Sequence, residues 1–102
     1  MPPRPGSRRV PLLVVAHPSV VARLVAGLVS AGYAPVGAST DDEAIRLMDR
    51  APEALVLDGG VALGRRAALA SRFTARFPGR PVVEHLGGPS GLAQAVGRAV
   101  RG

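Results

Sequence analysis

Few residues in this chain have types and spacing suited to chemistry. The stretch Ala54-Leu55-Val56-Leu57-Asp58-Gly59-Gly60 sets one carboxylate after a short apolar run and before two glycines. The run reads as a buried strand and the glycines as a turn. Asp58 then falls at a strand's C-terminal end, where open α/β sheets hold their ligands. The two histidines fall at comparable places: His17 follows the apolar run that ends in Ala16, and His85 lies near the end of Pro81-Val82-Val83-Glu84-His85-Leu86. If those runs are neighbouring strands, Asp58, His17 and His85 converge on one rim, with the donor types of a metal or small-ligand site. Plainer roles compete. An aspartate before a turn bonds nearby backbone N–H groups, and a histidine between strand and helix is expected to be partly buried without co-ligands. The plainer roles are preferred for all three residues.

Other catalytic patterns are absent from the sequence. "GGVALGRR" lacks the Lys-Ser or Lys-Thr of a phosphate-binding loop, and it follows the third apolar run where a dinucleotide fingerprint follows the first. With no cysteine, disulfides, thiolate metal sites and Cys/His dyads are excluded. There is no serine elbow and no carboxylate pair at helical spacing. The chain is therefore not expected to be an enzyme, and no catalytic residue, metal or cofactor is assigned.

The elements that would position Asp58 follow from periodicity. Val10 to Ala16 is a continuous apolar run, as in a strand buried on both faces. Pro18 suits a helix's first turn, and Val20, Val21, Leu24, Val25 and Leu28 follow helical spacing, with Val29 widening the stripe. Gly32 suits the left-handed residue after a helix. Residues 33–38 form a second strand, and Pro35 argues for a sheet edge. Thr40-Asp41-Asp42-Glu43 is a capping box opening a helix over about 41–50. Strand three is Ala54–Leu57. Ala67, Leu69, Ala70, Phe73 and Phe77 mark a third helix that stops before Pro78. Residues 81–86 form a fourth strand, and Ser90 is placed to cap a last helix carrying Leu92, Ala93, Val96 and Val100. Strands alternating with helices predict a parallel sheet covered on both faces, and right-handed crossovers leave few topologies for it.

Of the 102 residues, 47% are hydrophobic and 3% aromatic, so the core must be Val, Leu and Ala. The net charge is +6, and all 13 cations are arginine. They are scattered, with no aromatics interleaved for stacking, so solvated surface is preferred over a nucleic-acid site. Residues 1–9 carry no core former and read as a flexible tail ahead of one domain, 10–101. No apolar run is long enough to span a bilayer. No secretory leader is read before Pro11, so a cytoplasmic location is expected.

The stretch "VPLLVVAHPSVVARLVAGLVSAGYAPVGASTDDEAIRLMDRAPEALVLDGG" resembles the first half of a response-regulator receiver domain. The likeness lies in the order and spacing of an apolar strand, a proline at the following helix start, "GY-PVGAST-DEAIRLM" and "PEALVLD". It covers residues 10–60 well and 61–100 loosely. It implies an α/β, flavodoxin-like three-layer sandwich, here with the parallel sheet abbreviated to about four strands in the order 2-1-3-4. It also implies that Asp58 occupies the phosphoacceptor position.

The catalytic company of that aspartate differs. The acidic pair that holds Mg²⁺ in the family is replaced by Ala16 and His17, and no Asp or Glu occurs before residue 41. The family's lysine has no counterpart, because the chain has no lysine. If 81–86 is strand four, Leu86 takes the family's Thr/Ser position; if it plays strand five, His85 takes the lysine position. The expectation is a degenerate pseudo-receiver: a phosphorylation-independent protein-interaction module in bacterial signalling, with Ala16, His17 and His85 around Asp58. The alternatives are a conventional receiver phosphorylated on Asp58, or a small ligand or metal binder at the strand C-terminal rim. A shortened sheet exposes a strand edge, so a homodimer is expected, and neither a membrane nor nucleic acid is the expected partner.

Overall fold

A computed structural model describes residues 9–101. The expected tail therefore lies, but for Arg9, outside the described residues. The elements are β1 (Pro11–Val15), α1 (Pro18–Ser30), β2 (Ala34–Ala38), α2 (Asp41–Leu47) with a 3₁₀ turn (Met48–Arg50), β3 (Ala54–Asp58), α3 (Leu63–Arg76), β4 (Val82–His85) and α4 (Leu92–Arg101). All strand pairs are parallel, as the alternation predicted, and the order is β2-β1-β3-β4.

Burial on both sheet faces explains the unbroken apolar runs. Leu12, Val14, Ala54, Val56 and Val83 face α1 and α4, where Leu24, Leu28, Leu92 and Val96 meet them. The alternate residues Leu13, Val15, Leu55 and Leu57 face α2 and α3, against Ala44, Met48, Leu69 and Phe73. Right-handed crossovers put α1 over the β1–β2 half of one face and α2 and α3 over the other face. That leaves the β3–β4 half of the first face open, and α4 folds back beside α1 to cover it.

Local signals set most boundaries. Gly32, at φ +96°, ends α1: the Tyr33 N–H donates to the Leu28 carbonyl and the Gly32 N–H to that of Val29, at 3.0 Å each. Gly37 lets α1 approach β2, since a Cβ there would lie 2.7 Å from Val21 Cγ2. Thr40 caps α2 by accepting from the Glu43 N–H at 3.2 Å, and Glu43 reaches back to the Ser39 N–H at 3.2 Å.

Other boundaries depart from expectation. The helix expected over 41–50 tightens to 3₁₀ at Met48, because Pro52 disfavours the α conformation at Ala51, which leaves with φ 53°. α3 starts at Leu63, ahead of its first sequence marker, Ala67, because the cap, Ala62, offers no side-chain acceptor for a reader to see. Val29 is 44% exposed and does not join the buried stripe of α1. Gly91 immediately precedes α4, and the Ser90 carbonyl lies 2.8 Å from His85 Nε2.

Candidate functional site

Asp58 closes β3, and every residue of that strand is buried. It is the one buried charged residue among those described, at 8% exposure. Strand alternation puts it on the same side as Ala54 and Val56. Its neighbour in register is His85, and the Gly59 N–H continues the ladder to the His85 carbonyl at 2.8 Å. The carboxylate is used locally: Oδ2 accepts from the Gly60 N–H at 2.9 Å, while the Asp58 carbonyl accepts from the Val61 N–H at 3.0 Å. This is the turn role expected of an aspartate ahead of two glycines. The glycines supply room. A Cβ on Gly60 would lie 2.8 Å from Asp58 Oδ2, and one on Gly59 would crowd the Leu86 side chain and come within 3.2 Å of its Cα.

Ala16 is buried at the end of β1, so that strand presents a methyl group toward the rim. His17 is exposed, where partial burial was expected. It caps α1: its Nδ1 accepts from the Ser19 N–H at 3.1 Å and lies 2.7 Å from Ser19 Oγ. A backbone N–H only donates, so Nδ1 is the bare nitrogen and the neutral ring carries its proton on Nε2. His85 is half-buried, with Nε2 2.8 Å from the Ser90 carbonyl. A carbonyl only accepts, so here too Nε2 carries the proton. The loop wraps this ring closely enough that a Cβ on Gly87 would sit 3.1 Å from Nε2.

The two histidines thus serve a helix cap and a loop clasp. Among the described residues no group of three or more His, Cys, Asp or Glu side chains is arranged to hold a metal ion. The magnesium ion expected beside a receiver phosphoacceptor does not fit these residues. It prefers several oxygen ligands in octahedral geometry, and the donors at this rim are one carboxylate, already engaged by Gly60, and nitrogen ligands.

Neither arginine within sequence reach turns to Asp58. Arg65 donates through Nε and Nη2 to Asp41 Oδ1 at 3.0 and 2.8 Å, tying α3 to α2. Arg66 donates to the Val61 carbonyl at 2.9 Å and to Glu84 at 3.1 Å, tying α3 to β4. Among the described residues the third ion pair is Arg76–Asp49, so no cation pairs with Asp58. Glu43, the capping-box acid, is held below the ordinary carboxylate range chiefly by the Ser39 backbone N–H.

Three concavities are lined by other residues. One of about 320 Å³ lies along α2 at Glu43, Arg46, Leu47 and Arg50. One of about 380 Å³ lies between the starts of α2 and α3, at Thr40, Asp42 and Arg65. The largest, about 660 Å³, lies at the opposite end of the sheet from Asp58 and includes Arg9, Arg50, Glu53 and Arg80. Sequence reading did not find this cleft, because its arginines are 30 or more residues apart and no periodic signal links them. No protein-family model matches the chain, and no curated protein sequence matches it.

Proposed function

We propose that residues 10–101 are a flavodoxin-like pseudo-receiver domain that acts in bacterial signalling, in the cytoplasm, as a phosphorylation-independent protein-interaction module. One observation carries this reading: Oδ2 of Asp58 accepts from the Gly60 N–H of its own turn, and among the described residues no cation pairs with the carboxylate. Phosphoryl transfer depends on positive charge placed against the moving oxygens. Here the end of β1 offers the Ala16 methyl group and a histidine engaged in capping.

The β2-β1-β3-β4 order supports the flavodoxin-like assignment, being that layout without its last strand. On this reading, residues 82–85 take the fourth strand's place beside β3, while α4 covers the α1 face as the terminal helix. The partner is a protein, and a second copy is a natural one. The outer edge of β4 is open, and Leu86, just beyond it, is 80% exposed. Edges of this kind recruit strands unless they are blunted.

Beryllofluoride with Mg²⁺, followed through the amide resonances of Asp58, Gly59 and Gly60, tests the proposal. Unmoved resonances are expected. A saturable shift there would make the chain a conventional receiver, and zinc-dependent shifts at His17 and His85 would instead favour a metal binder at the rim.

A further inference from the structure

The parallel sheet collects the N-terminal ends of its strands and the C-terminal ends of its helices at the pole opposite Asp58. Three arginines far apart in sequence meet there in one cleft of about 660 Å³: Arg9 just before β1, Arg50 at the end of the 3₁₀ turn, and Arg80 just before β4. Glu53 is the one acid in the lining, and Val10 and Ala34 add apolar surface. None of the three ion pairs among the described residues involves these arginines or Glu53. Arg80 is held in place. Its Nη1 donates to the Ala51 and Pro52 carbonyls at 3.0 Å each, and its guanidinium lies 4.6 Å from the Phe77 ring centroid.

Complementing helix dipoles accounts for a cation at the end of α2. It does not account for Arg9 and Arg80, which precede strands. From this placement we infer that the cleft is a docking site for an acidic, extended peptide segment of a partner protein. The inference rests on the interaction-module reading and names the surface that reading lacks.

The lining selects among polyanions. Guanidinium groups match carboxylates and phosphates alike in forked geometry, so the choice falls to the rest of the lining. Glu53 repels either polyanion, but its carboxylate can accept from the backbone N–H groups of a peptide, which a phosphodiester backbone lacks. Single-stranded nucleic acid also needs open aromatic faces, and the Phe77 ring is covered by Arg76 at 5.3 Å and Arg80 at 4.6 Å. Val10 and Ala34 are suited to the methylenes of glutamate side chains.

The test is titration of the ¹⁵N-labelled chain with a synthetic glutamate-rich peptide and, separately, with a single-stranded oligonucleotide of equal charge. The peptide is expected to shift the amides of Arg9, Ala34, Ala51 and Arg80, and to bind more tightly than the oligonucleotide. Arg9→Glu combined with Arg50→Glu should weaken peptide binding by about tenfold or more. Arg72→Glu combined with Arg98→Glu removes as much positive charge elsewhere and should change affinity by less than about threefold. Preserved spectral dispersion shows that each variant is folded. Absent shifts, shifts spread over every arginine-bearing face, equal loss in both variants, or tighter binding of the oligonucleotide would each overturn the inference. Failure here leaves Asp58 unphosphorylated and the module reading standing. Phosphorylation of Asp58 would defeat that reading while leaving the cleft's binding intact.

Discussion

Oδ2 of the buried Asp58 accepts from the N–H of Gly60, which is exposed in the turn that follows. The position therefore has a structural reason to keep an oxygen acceptor, whatever its origin. Asp58→Asn retains an acceptor and is expected to change stability by no more than about 0.5 kcal/mol, whereas Asp58→Ala removes the hydrogen bond to the solvent-exposed Gly60 and should cost about 1 kcal/mol. Urea unfolding of both variants checks the difference; equal stabilities would refute the turn role. The strand, the glycine turn and the position of Asp58 were legible in the sequence because each is a local pattern. Where Arg65 and Arg66 point was not. Their partners Asp41 and Glu84 lie 24 and 18 residues away, and only the packing of α3 against α2 and β4 brings them together. The exposure of His17 was missed for a related reason: its ring turns outward to cap the helix it precedes.

At the level of elements, caps and glycines carried the readable signals. The sequence Ser39-Thr40-Asp41-Asp42-Glu43 folds as a capping box, and the Ser39 N–H lowers the Glu43 pKa. A carboxylate whose folded pKa is depressed adds stability that is fully present above its unfolded pKa and is lost as pH falls through its folded pKa. Hydrogen exchange over the first turn of α2 should therefore accelerate below the ordinary glutamate range, and Glu43→Gln should remove that pH dependence. An identical acid profile in the variant would contradict the assignment.

Gly37 was read only as part of a strand, yet it sets how closely α1 sits on β2. Gly37→Ala drives a methyl group into Val21 and Val25 and is expected to destabilise by about 1–3 kcal/mol, measured as a lower urea midpoint. No shift in the midpoint would mean that α1 can move away freely. The start of α3 escaped sequence reading because Ala62 makes no side-chain cap, and the 3₁₀ turn because α and 3₁₀ spacing differ little over one turn.

Across the whole molecule, the parallel sheet followed from the alternation of strands and helices, whereas the order 2-1-3-4 did not, because right-handed crossovers allow more than one order. Nor did the face taken by α4, since no later strand constrains it; the uncovered half of the sheet does. The four-stranded sheet has β4 at one edge, with the exposed Leu86 just beyond it, and the arginine cleft lies at the pole opposite Asp58. A homodimer across the β4 edge predicts a sedimentation coefficient that rises with protein concentration. A single monomeric boundary throughout the range would remove a second copy from the partners.

The fold ends β3 in an aspartate held by its own turn, and among the described residues no cation pairs with it. If the proposed phosphorylation-independent role is right, amide spectra recorded with beryllofluoride and Mg²⁺ will show Asp58, Gly59 and Gly60 unmoved. Saturable shifts at those three residues, lost in Asp58→Asn, would contradict it.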